Sequence, residues 1–428
     1  MGELLEDTGD VQTQWPLQSV DDVKAKDKGA LISGPFGSNI SAKYFTESGV
    51  PVIRGNNLAL DVGVRFKDEG FAFITDDKAE ELRTWAQAGD LIFTAVGTIG
   101  QVGYLAGNEA FPRYIISNKQ IRLRLDTGKL IPLFAYYWFS SPQMVDLIQQ
   151  RNTGSSVPLI NLGVVRSLPV PVPDIKVQES ITEVLSSLDA KIDLLHRQNR
   201  TLEAMAGTLF RQWFVEKAEE GWPQVQLGDH IQVHRGLSYN GAGLCGPDEG
   251  VPMHNLNSVY EGGGYKYDGI KYYKGEYKDR HVIKAGELIM TNTEQGHEHL
   301  LIGCPAIIPK SFGDKGIFSQ HVYRIAMLNP LFTSVFVKHL VMTSDMREQI
   351  AGATNGSTVN MLPKDGIEMA KFQMPPDRLI KQFNEYALPM HEKMEENQVQ
   401  IESLIALRDT LLPKLMSGEV RVEETLLQ

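Results

Sequence analysis

Three charged side chains in the second half of the chain have the types and spacing found at some nuclease sites. Asp268 is followed by Glu276 and Lys278, which fits a loose Asp…Glu-x-Lys pattern. The pattern is short enough to arise by chance in a chain of 428 residues. Exposed charges on a strand and turn rich in lysine and tyrosine explain it without any chemistry. A self-contained nuclease that uses these three residues therefore stays open as the alternative function.

Other patterns for catalysis or metal binding are incomplete in the sequence. His297 and His299 offer two imidazoles, but no Cys or Asp cluster completes a site with them. The cysteines, Cys245 and Cys304, are too few for a disulfide framework or a four-cysteine zinc site, which favours a reducing cytoplasm. The chain has neither a Walker-type Gly-x-x-x-x-Gly-Lys-Ser/Thr segment nor an Asn/Asp-Pro-Pro-Tyr/Phe segment. We expect no catalytic residue, no metal and no cofactor in this chain.

Polar side chains in loops indicate a different chemistry, the recognition of nucleic acid. Arg, Lys, Asn, Gln and His carry donors and acceptors that match the edges of base pairs in the DNA grooves. Turn formation and phosphate contact remain equally open explanations for each residue. The candidates are Arg54, Asn56, Asn57, Asn118, Lys119 and Asn152 in the first half, and His234, Arg235, Asn255, Asn257, Gln295, Gln320 and His321 in the second half.

An internal repeat of about 200 residues organises these loops. Four segments recur in the same order: Trp15-Pro16 as Trp222-Pro223, residues 89–94 as 286–291, 132–134 as 330–332, and 154–157 as 356–359. The polar turns 152–156 and 354–358 also correspond. Because turns shared by two domains with different targets should serve a common task, phosphate contact is one explanation for them and support of the fold is the other.

Each repeat combines a strand-rich part with a long helix. Short runs such as Val50–Ile53 and Ile121–Leu125 have strand character, and residues 132–150 and 330–350 have helical character. The predicted fold class is α+β: two similar mixed α/β domains separated by two long antiparallel coiled-coil helices with pseudo-twofold symmetry. The predicted boundaries are 1–14 for an N-terminal tail, 15–173 and 220–376 for the two domains, 174–219 for the central helix, and 377–428 for the C-terminal helix and tail.

Each predicted helix has an apolar seam with one asparagine, Asn199 or Asn397. A polar residue at a core position can fix the register of a helix pair. We hypothesise an antiparallel pair in which the two asparagines are in contact and Trp213 lies opposite Phe383; the alternative is that each asparagine is solvated at the edge of the seam. Pro389 should kink or interrupt the second helix, and Gly418 is a plausible end for it.

This geometry suits a bipartite DNA target. Helices of about 40 residues are roughly 60 Å long and would hold two similar domains a fixed distance apart, as half-sites on one face of DNA require. The net charge of −11 argues against a simple DNA-binding protein, but the acidic excess lies in the tail and the helices. The helices should therefore bind protein, and the domains should bind DNA with additional basic surface supplied by partners.

Aromatic and aliphatic clusters on the helices are candidates for partner docking. The cluster in the first helix is too large for a narrow two-helix seam, and a leucine cluster matches it in the second helix. Burial against the chain's own domain is the alternative. The candidates are Phe210, Trp213 and Phe214, with Leu411, Leu412 and Leu415.

Several long segments resemble the specificity (S) subunit of type I restriction–modification systems. Residues 32–38 resemble an early motif of the family's target recognition domain, residues 185–193 and 208–214 its central conserved region, and residues 407–419 its C-terminal conserved region. The resemblance covers essentially the whole chain. The start of the second domain, residues 236–239, departs from the Gly-Pro-Phe-Gly-Ser form, which puts loop assignments there in doubt.

The resemblance implies a non-catalytic, sequence-specific subunit that reads one half of a bipartite double-stranded DNA target with each recognition domain. It implies two methyltransferase (M) subunits that carry S-adenosylmethionine and methylate adenine N6, and two ATP-driven restriction (R) subunits. We also expect a cytoplasmic location, from the two cysteines, and no membrane partner, because no apolar run approaches about 18 residues. A purely structural scaffold is a third hypothesis, which predicts no sequence-selective DNA binding.

Overall fold

The computed structural model describes residues 13–295, 298–356 and 359–422. The chain divides into two compact units, residues 1–193 with 403–428, and residues 194–402. Each unit therefore combines one globular part with half of each long helix. Most of the predicted N-terminal tail lies outside the described residues, and the predicted domain boundaries stay predictions.

The first unit contains short strands, short helices and the beginning of a long helix. Its strands are β1 (Leu17–Ser19), β2 (Leu31–Ser33), β3 (Val50–Ile53), β4 (Ala72–Ile74), β5 (Trp85–Gln87), β6 (Leu91–Thr94), β7 (Val102–Tyr104), β8 (Arg113–Ile116), β9 (Gln120–Leu123) and β10 (Pro169–Pro171). Its helices are α1 (Val20–Val23), α2 (Asp76–Leu82), α3 (Pro132–Phe139), α4 (Pro142–Gln150), α5 (Leu162–Ser167) and the start of α6 (Ile175–Arg211).

The second unit repeats this plan with a few additions. Its strands are β11 (Gln224–Gln226), β12 (Ile231–Arg235), β13 (Leu244–Cys245), β14 (Val251–His254), β15 (Lys271–Tyr273), β16 (Val282–Ile283), β17 (Leu288–Thr291), β18 (Thr293–Gln295), β19 (Pro305–Ile307), β20 (Gly316–Phe318), β21 (Val322–Met327), β22 (Val359–Met361) and β23 (Lys371–Gln373). Its helices are α7 (Ser334–Val341), α8 (Ser344–Gly352), α9 (Lys364–Glu368) and most of α10 (Asp377–Ser417).

The order of strands is the same in both units, which confirms the duplication. One antiparallel sheet has the order β2-β9-β6-β7 in the first unit and β12-β21-β17-β19 in the second. A mixed sheet has the order β4-β3-β8-β5 in the first unit and β15-β14-β20-β16 in the second, where β13 adds an edge. In each mixed sheet one pair is parallel, β3 with β8 and β14 with β20. A two-stranded sheet, β1-β10 or β11-β23, completes each plan.

Burial of apolar faces explains how each unit packs. In the first unit α3 is apolar on nearly all sides, and Phe134, Trp138 and their neighbours are fully buried between the antiparallel sheet and the long helices. In the second unit Phe336 of α7 is buried in the same way and contacts Phe383 of the long helix α10. The predicted helical stretches 132–150 and 330–350 are each two helices, α3 with α4 and α7 with α8. Ser140–Ser141 and Met342–Thr343 separate them.

The two long helices are continuous. Helix α10 runs through Pro389 without interruption, which corrects the expected break. It ends at Ser417, and Gly418 follows with a φ of +79°, a left-handed conformation that confirms the predicted end. None of the helices in the described part of the chain is long and apolar enough to cross a membrane.

The predicted contact between the two asparagines is present within the second unit. Asn397 Nδ2 donates to Asn199 Oδ1 at 2.8 Å, and Asn199 Nδ2 donates to the carbonyl oxygen of Met394 at 3.2 Å. The helix segments pack antiparallel here. Phe210, which follows Asn199 on α6, contacts Phe383, which precedes Asn397 on α10. Trp213 was expected opposite Phe383 but contacts Tyr386 instead, and Phe214 makes an edge-to-face contact with Phe383 in its place.

Candidate nucleic-acid interface

Parallel pairing in the mixed sheet gathers several predicted DNA-binding loops in the first unit. Strands β3 and β8 are parallel neighbours, so their carboxyl ends and the loops that follow lie at one edge of the sheet. The amide of Ser117 donates to the carbonyl of Ile53 at 2.9 Å and joins the two loops. Arg54, Asn56, Asn118 and Lys119 therefore belong to one cluster of loops.

Backbone hydrogen bonds attach two more segments to this edge. The amide of Ala95 donates to the carbonyl of Lys119 at 2.8 Å, and the amide of Ile160 donates to the carbonyl of Ala95 at 2.9 Å. Gly34 donates to the carbonyl of Gln120 at 2.9 Å. We call residues 34–37, 54–57, 117–120 and 152–160 the first loop cluster. Backbone-to-backbone hydrogen bonds therefore join these four segments.

The second unit builds an equivalent cluster with three of these bonds. Ser319 donates to the carbonyl of His254 at 2.9 Å, Asn292 to that of His321 at 3.1 Å, and Leu362 to that of Asn292 at 2.9 Å. We call residues 236–239, 255–258, 319–322 and 354–362 the second loop cluster, of which residues 357 and 358 lie outside the described part. The amide of Asn355 donates to the carbonyl of Met361 at 2.9 Å, as the amide of Thr153 donates to that of Leu159 at 2.8 Å, so residues 354–356 occupy the place of residues 152–154.

The two clusters differ in the side chains that they carry. Asn118 and Lys119 of the first cluster correspond to Gln320 and His321 of the second, one and two residues after the equivalent Ser117 and Ser319. Asn118, Lys119 and Gln320 are exposed, and His321 is half-buried beside the hydroxyl of Thr293 at 3.2 Å. Two equal backbones with different polar groups are what two different half-sequences require.

Two predicted base readers have a structural role instead. Asn57 is fully buried and donates to the carbonyls of Lys67 and Glu69, and Asn255 is 4% exposed and donates to the carbonyls of Met253 and Gly269. Their amides stabilise the loops after β3 and β14, so we correct their assignment to DNA contact. Sequence alone did not separate them from Asn56 and Asn257, which are exposed.

The remaining candidates either hydrogen-bond within their own loops or lie at the end of a strand. Arg54 is half-buried, and its guanidinium, like the amide of exposed Asn56, donates to the carbonyl of Gly70. Asn152 is exposed, but its Oδ1 accepts from the amides of Gly154 and Leu159, which is turn chemistry. His234 and Arg235 end β12 beside the second cluster, and Gln295 ends β18.

Positive charge and partial burial act together on the histidines of the second cluster. Burial, helped by nearby Arg324 and Lys364, lowers the pKa of His234 below its ordinary value. Burial and Lys271 lower the pKa of His321 in the same way. Both side chains are therefore neutral at pH 7, and each imidazole has one donor and one acceptor for a base edge.

The predicted partner-docking residues are largely covered by the chain itself. Phe210, Leu412 and Leu415 are each no more than 2% exposed. Trp213, Phe214 and Leu411 are partly buried against the cores of their own units. Phe210, Leu412 and Leu415 are thus buried against their own unit, as the alternative stated from sequence has it, while docking by Trp213, Phe214 and Leu411 stays a prediction.

The nuclease alternative gains no support from the geometry. Asp268 lies in a 3₁₀ turn, and Glu276 and Lys278 are exposed in the loop after β15. Among the residues that the structure describes, no three His, Cys, Asp or Glu side chains are grouped as a metal site. His297 lies outside those residues.

One exposed side chain of the first cluster was not among the sequence candidates. Phe36 is 85% exposed, more than any other large apolar side chain in the described ranges. It lies within the segment 32–38, but an apolar residue does not fit a search for polar base readers. Its exposure depends on the tertiary structure.

Comparisons with known proteins show which proteins this chain is similar to. The family model described as type I restriction modification DNA specificity domain matches residues 37–204. The chain is 25% identical to the type I restriction enzyme MjaIX specificity subunit of Methanocaldococcus jannaschii over 98% of this chain and 96% of that protein. It is 28% identical to the HindI specificity subunit of Haemophilus influenzae over 30% of this chain and 28% of that protein. The crystal structure of an S subunit from M. genitalium matches with a TM-score of 0.55 and 15% identity, covering 94% of this chain and 96% of that one.

Proposed function

We propose that the chain is a specificity subunit of a type I restriction–modification system, and that each of its loop clusters reads one half of a bipartite double-stranded DNA sequence. Its role is DNA sequence recognition within a complex of subunits. Our proposal assigns one half-site to each cluster: the first loop cluster reads the first half-site, and the second loop cluster reads the second.

One observation carries the proposal. The two clusters share three equivalent backbone hydrogen bonds but differ in side chains: exposed Asn118 and Lys119 correspond to exposed Gln320 and half-buried His321. A common backbone can position both clusters on the same kind of ligand, while different donors and acceptors select different bases. A scaffold without DNA recognition would not need this combination.

Partner subunits supply the chemistry in this proposal. Family membership supports a non-catalytic specificity role for this chain. We propose that two M subunits bind S-adenosylmethionine and methylate adenine N6, and that two ATP-driven R subunits join for cleavage. The assembly acts in the cytoplasm, and the M subunits supply positive surface that a chain of net charge −11 lacks.

Exposed apolar side chains on the long helices are the better candidates for M-subunit docking. Leu194 and Met205 of α6 are 40% and 48% exposed, and Leu407 of α10 is 46% exposed. Apolar groups at the centre of an interface are stabilised by removal from water. These residues replace the buried set Phe210, Leu412 and Leu415 in our proposal.

The decisive experiment maps N6-methyladenine across the genome of a methylation-free host that expresses this chain with its cognate M subunit. We expect one split motif with a fixed non-specific spacer. The double variant Asn118→Ala/Lys119→Ala should relax or abolish one half of the motif, and Gln320→Ala/His321→Ala the other half. Glu276→Gln is the matched control and should leave both halves unchanged.

Two results would contradict the proposal. A stable complex with M subunits that methylates nothing would favour the scaffold hypothesis. Cleavage of DNA by the chain alone, lost on Glu276→Gln, would favour the nuclease. Equal changes in both halves of the motif from either double variant would show that the clusters do not divide the sequence between them.

A further inference from the structure

We propose that Phe36 packs its ring against the bases of the first half-site, an apolar contact that the second half-site lacks. The inference rests on the proposed function, since it places DNA on the first loop cluster. The inference adds one residue, Phe36, and one kind of interaction, an apolar contact with bases, to the proposed function.

The exposure of Phe36 sets it apart. Its side chain is 85% exposed, whereas the next large apolar side chain in the described residues, Met369, is 63% exposed. Burying a phenylalanine side chain is worth roughly 1.5–3 kcal/mol, so a fold that leaves one in water forgoes that stabilisation. Solitary exposed apolar residues are common, and the place of Phe36 is what gives it meaning.

The backbone of Phe36 is held firmly against the first loop cluster. A Cβ on Gly34 would collide with the carbonyl oxygen of Ser117, so only glycine permits this close approach. A Cβ on Gly37 would lie 3.0 Å from Nδ2 of Asn118. The carbonyl of Phe36 accepts from the amide of Asn39 at 2.8 Å. The loop is thus fixed on both sides of Phe36 while the ring itself points into water.

The second unit shows that the ring is not a requirement of the fold. A Cβ on Gly236 would collide with the carbonyl oxygen of Ser319, just as at Gly34 and Ser117. Two residues after this glycine the second unit has Ser238, which is exposed. The same close approach therefore forms with serine in place of phenylalanine. A side chain that the backbone does not need, beside exposed Asn118, is available for a ligand.

Bases are the occupant that this position favours. Phenylalanine contacts thymine methyl groups, stacks on bases and inserts between base steps in protein–DNA complexes. Asn118 and Lys119 on the adjacent turn provide polar contacts to a base edge and to phosphate, so the ring faces the same ligand. An apolar protein partner would instead meet these exposed polar groups and leave them without water.

The test compares DNA binding by the complex of this chain with its M subunit, for the wild type and for Phe36→Ser, which installs the residue of the second cluster. We expect Phe36→Ser to weaken binding of the cognate duplex by about tenfold or more, as loss of a base–aromatic contact does, with no change for non-specific DNA. Phe36→Trp should retain binding within about threefold. Methylation mapping should show relaxed selection in the first half of the motif alone.

Leu328→Ala is the matched control, because Leu328 is also an exposed apolar residue, 57% exposed, at the opposite end of β21 from the second cluster. Unchanged affinity and an unchanged motif for Phe36→Ser would overturn the inference. So would weaker assembly with the M subunit, which would place protein on the ring. The wild-type complex distinguishes failure of the proposed function from failure of the inference about Phe36. If the wild type gives no split motif, the proposed function is wrong. If the wild type gives one, the Phe36→Ser results test only the role of Phe36.

Discussion

At the scale of single residues, burial decides which polar side chains can meet DNA. Asn56 and Asn57 are neighbours of the same type, yet one is exposed and the other is enclosed by the carbonyls of its own loop. His254 shows the same effect in a titratable group. It is fully buried at the end of β14, with Nδ1 hydrogen-bonded to the hydroxyl of Tyr265 at 2.7 Å.

His254 should make the second unit less stable in mild acid. Burial lowers its pKa to about 3 in the folded chain, against about 6.5 when unfolded. As the pH falls below about 6.5, His254 becomes protonated in the unfolded chain but stays neutral in the folded chain. The free energy of unfolding that is present above that pH is therefore progressively lost. Between pH 7.5 and pH 5 this histidine should cost about 2 kcal/mol.

Urea unfolding at both pH values measures this loss. His254→Gln should lose about 2 kcal/mol less than the wild type over the same interval. His339 and His391, with pKa values lowered to about 4 by burial, contribute equally to both proteins. The same loss in the wild type and in His254→Gln would refute the prediction.

The contact between Asn199 and Asn397 should stabilise the helix pair through a specific hydrogen bond. Asn397 is 1% exposed, so loss of Asn199 leaves its buried Nδ2 with only the 3.5 Å contact to Oε1 of Gln198. A double-mutant cycle with Asn199→Ala and Asn397→Ala should give a coupling free energy of about 1 kcal/mol in urea unfolding. The exposed pair Gln398 and Glu402, 3.1 Å apart on the same helix, should give a smaller coupling and serves as the control. Equal couplings would argue against a role in register.

At the scale of elements, a buried ion network joins the helices of the first unit to its globular part. Asp189 on α6 accepts from Arg408 on α10 at 3.2 Å, from Arg65 at 3.0 Å and from the hydroxyl of Tyr137 on α3 at 2.6 Å. The side chains of Arg408 and Asp189 are 4% and 8% exposed. The second unit has an ion pair in the corresponding region, Lys338 with Glu203 at 2.7 Å.

Arg408→Ala should destabilise the first unit strongly, by about 3 kcal/mol or more, because it leaves Asp189 and Asp61 short of a buried cationic partner. Lys414→Ala on the same helix is the control: its pair with Glu419 is 3.8 Å long and exposed, so its loss should cost under about 1 kcal/mol. Urea unfolding of the full chain gives both values. Similar losses for the two variants would mean that the network contributes little.

At the scale of the whole molecule, our proposal places DNA on two loop clusters of a chain that is acidic overall, with a net charge of −11. The clusters expose few cations, so each phosphate contact should be visible in the salt dependence of binding. Lys119 is exposed on the turn between β8 and β9 and is a candidate for such a contact.

Lys119→Ala should weaken binding of cognate and non-cognate duplexes alike and lower the slope of log K against log salt by about one. Lys381→Ala, an exposed lysine on α10, should leave the slope unchanged. Titrations of the complex with its M subunit at several salt concentrations measure both slopes. A loss of selectivity at one base position, with the slope preserved, would make Lys119 a base reader instead.

The sequence by itself determined the duplication, the α+β composition and the two long helices. The repeat of short segments in order, the period of the apolar residues and one asparagine in each seam carry that information locally, because hydrophobic periodicity and turn residues act over a few positions. The contact of Asn199 with Asn397 followed from this pattern. Pro389 did not stop α10, because local propensity yields to the packing of a long helix.

Only the tertiary structure decided which residues of each cluster face solvent. Exposure is set by segments far apart in sequence, as when the carbonyls of Lys67 and Glu69 enclose Asn57, or when Phe383 and Phe336 cover Phe210. The same holds for Phe36, whose loop is fixed by a turn 80 residues away at Ser117. Residue type and spacing therefore indicated the chemistry of the loops, and the fold selected the side chains that can carry it out.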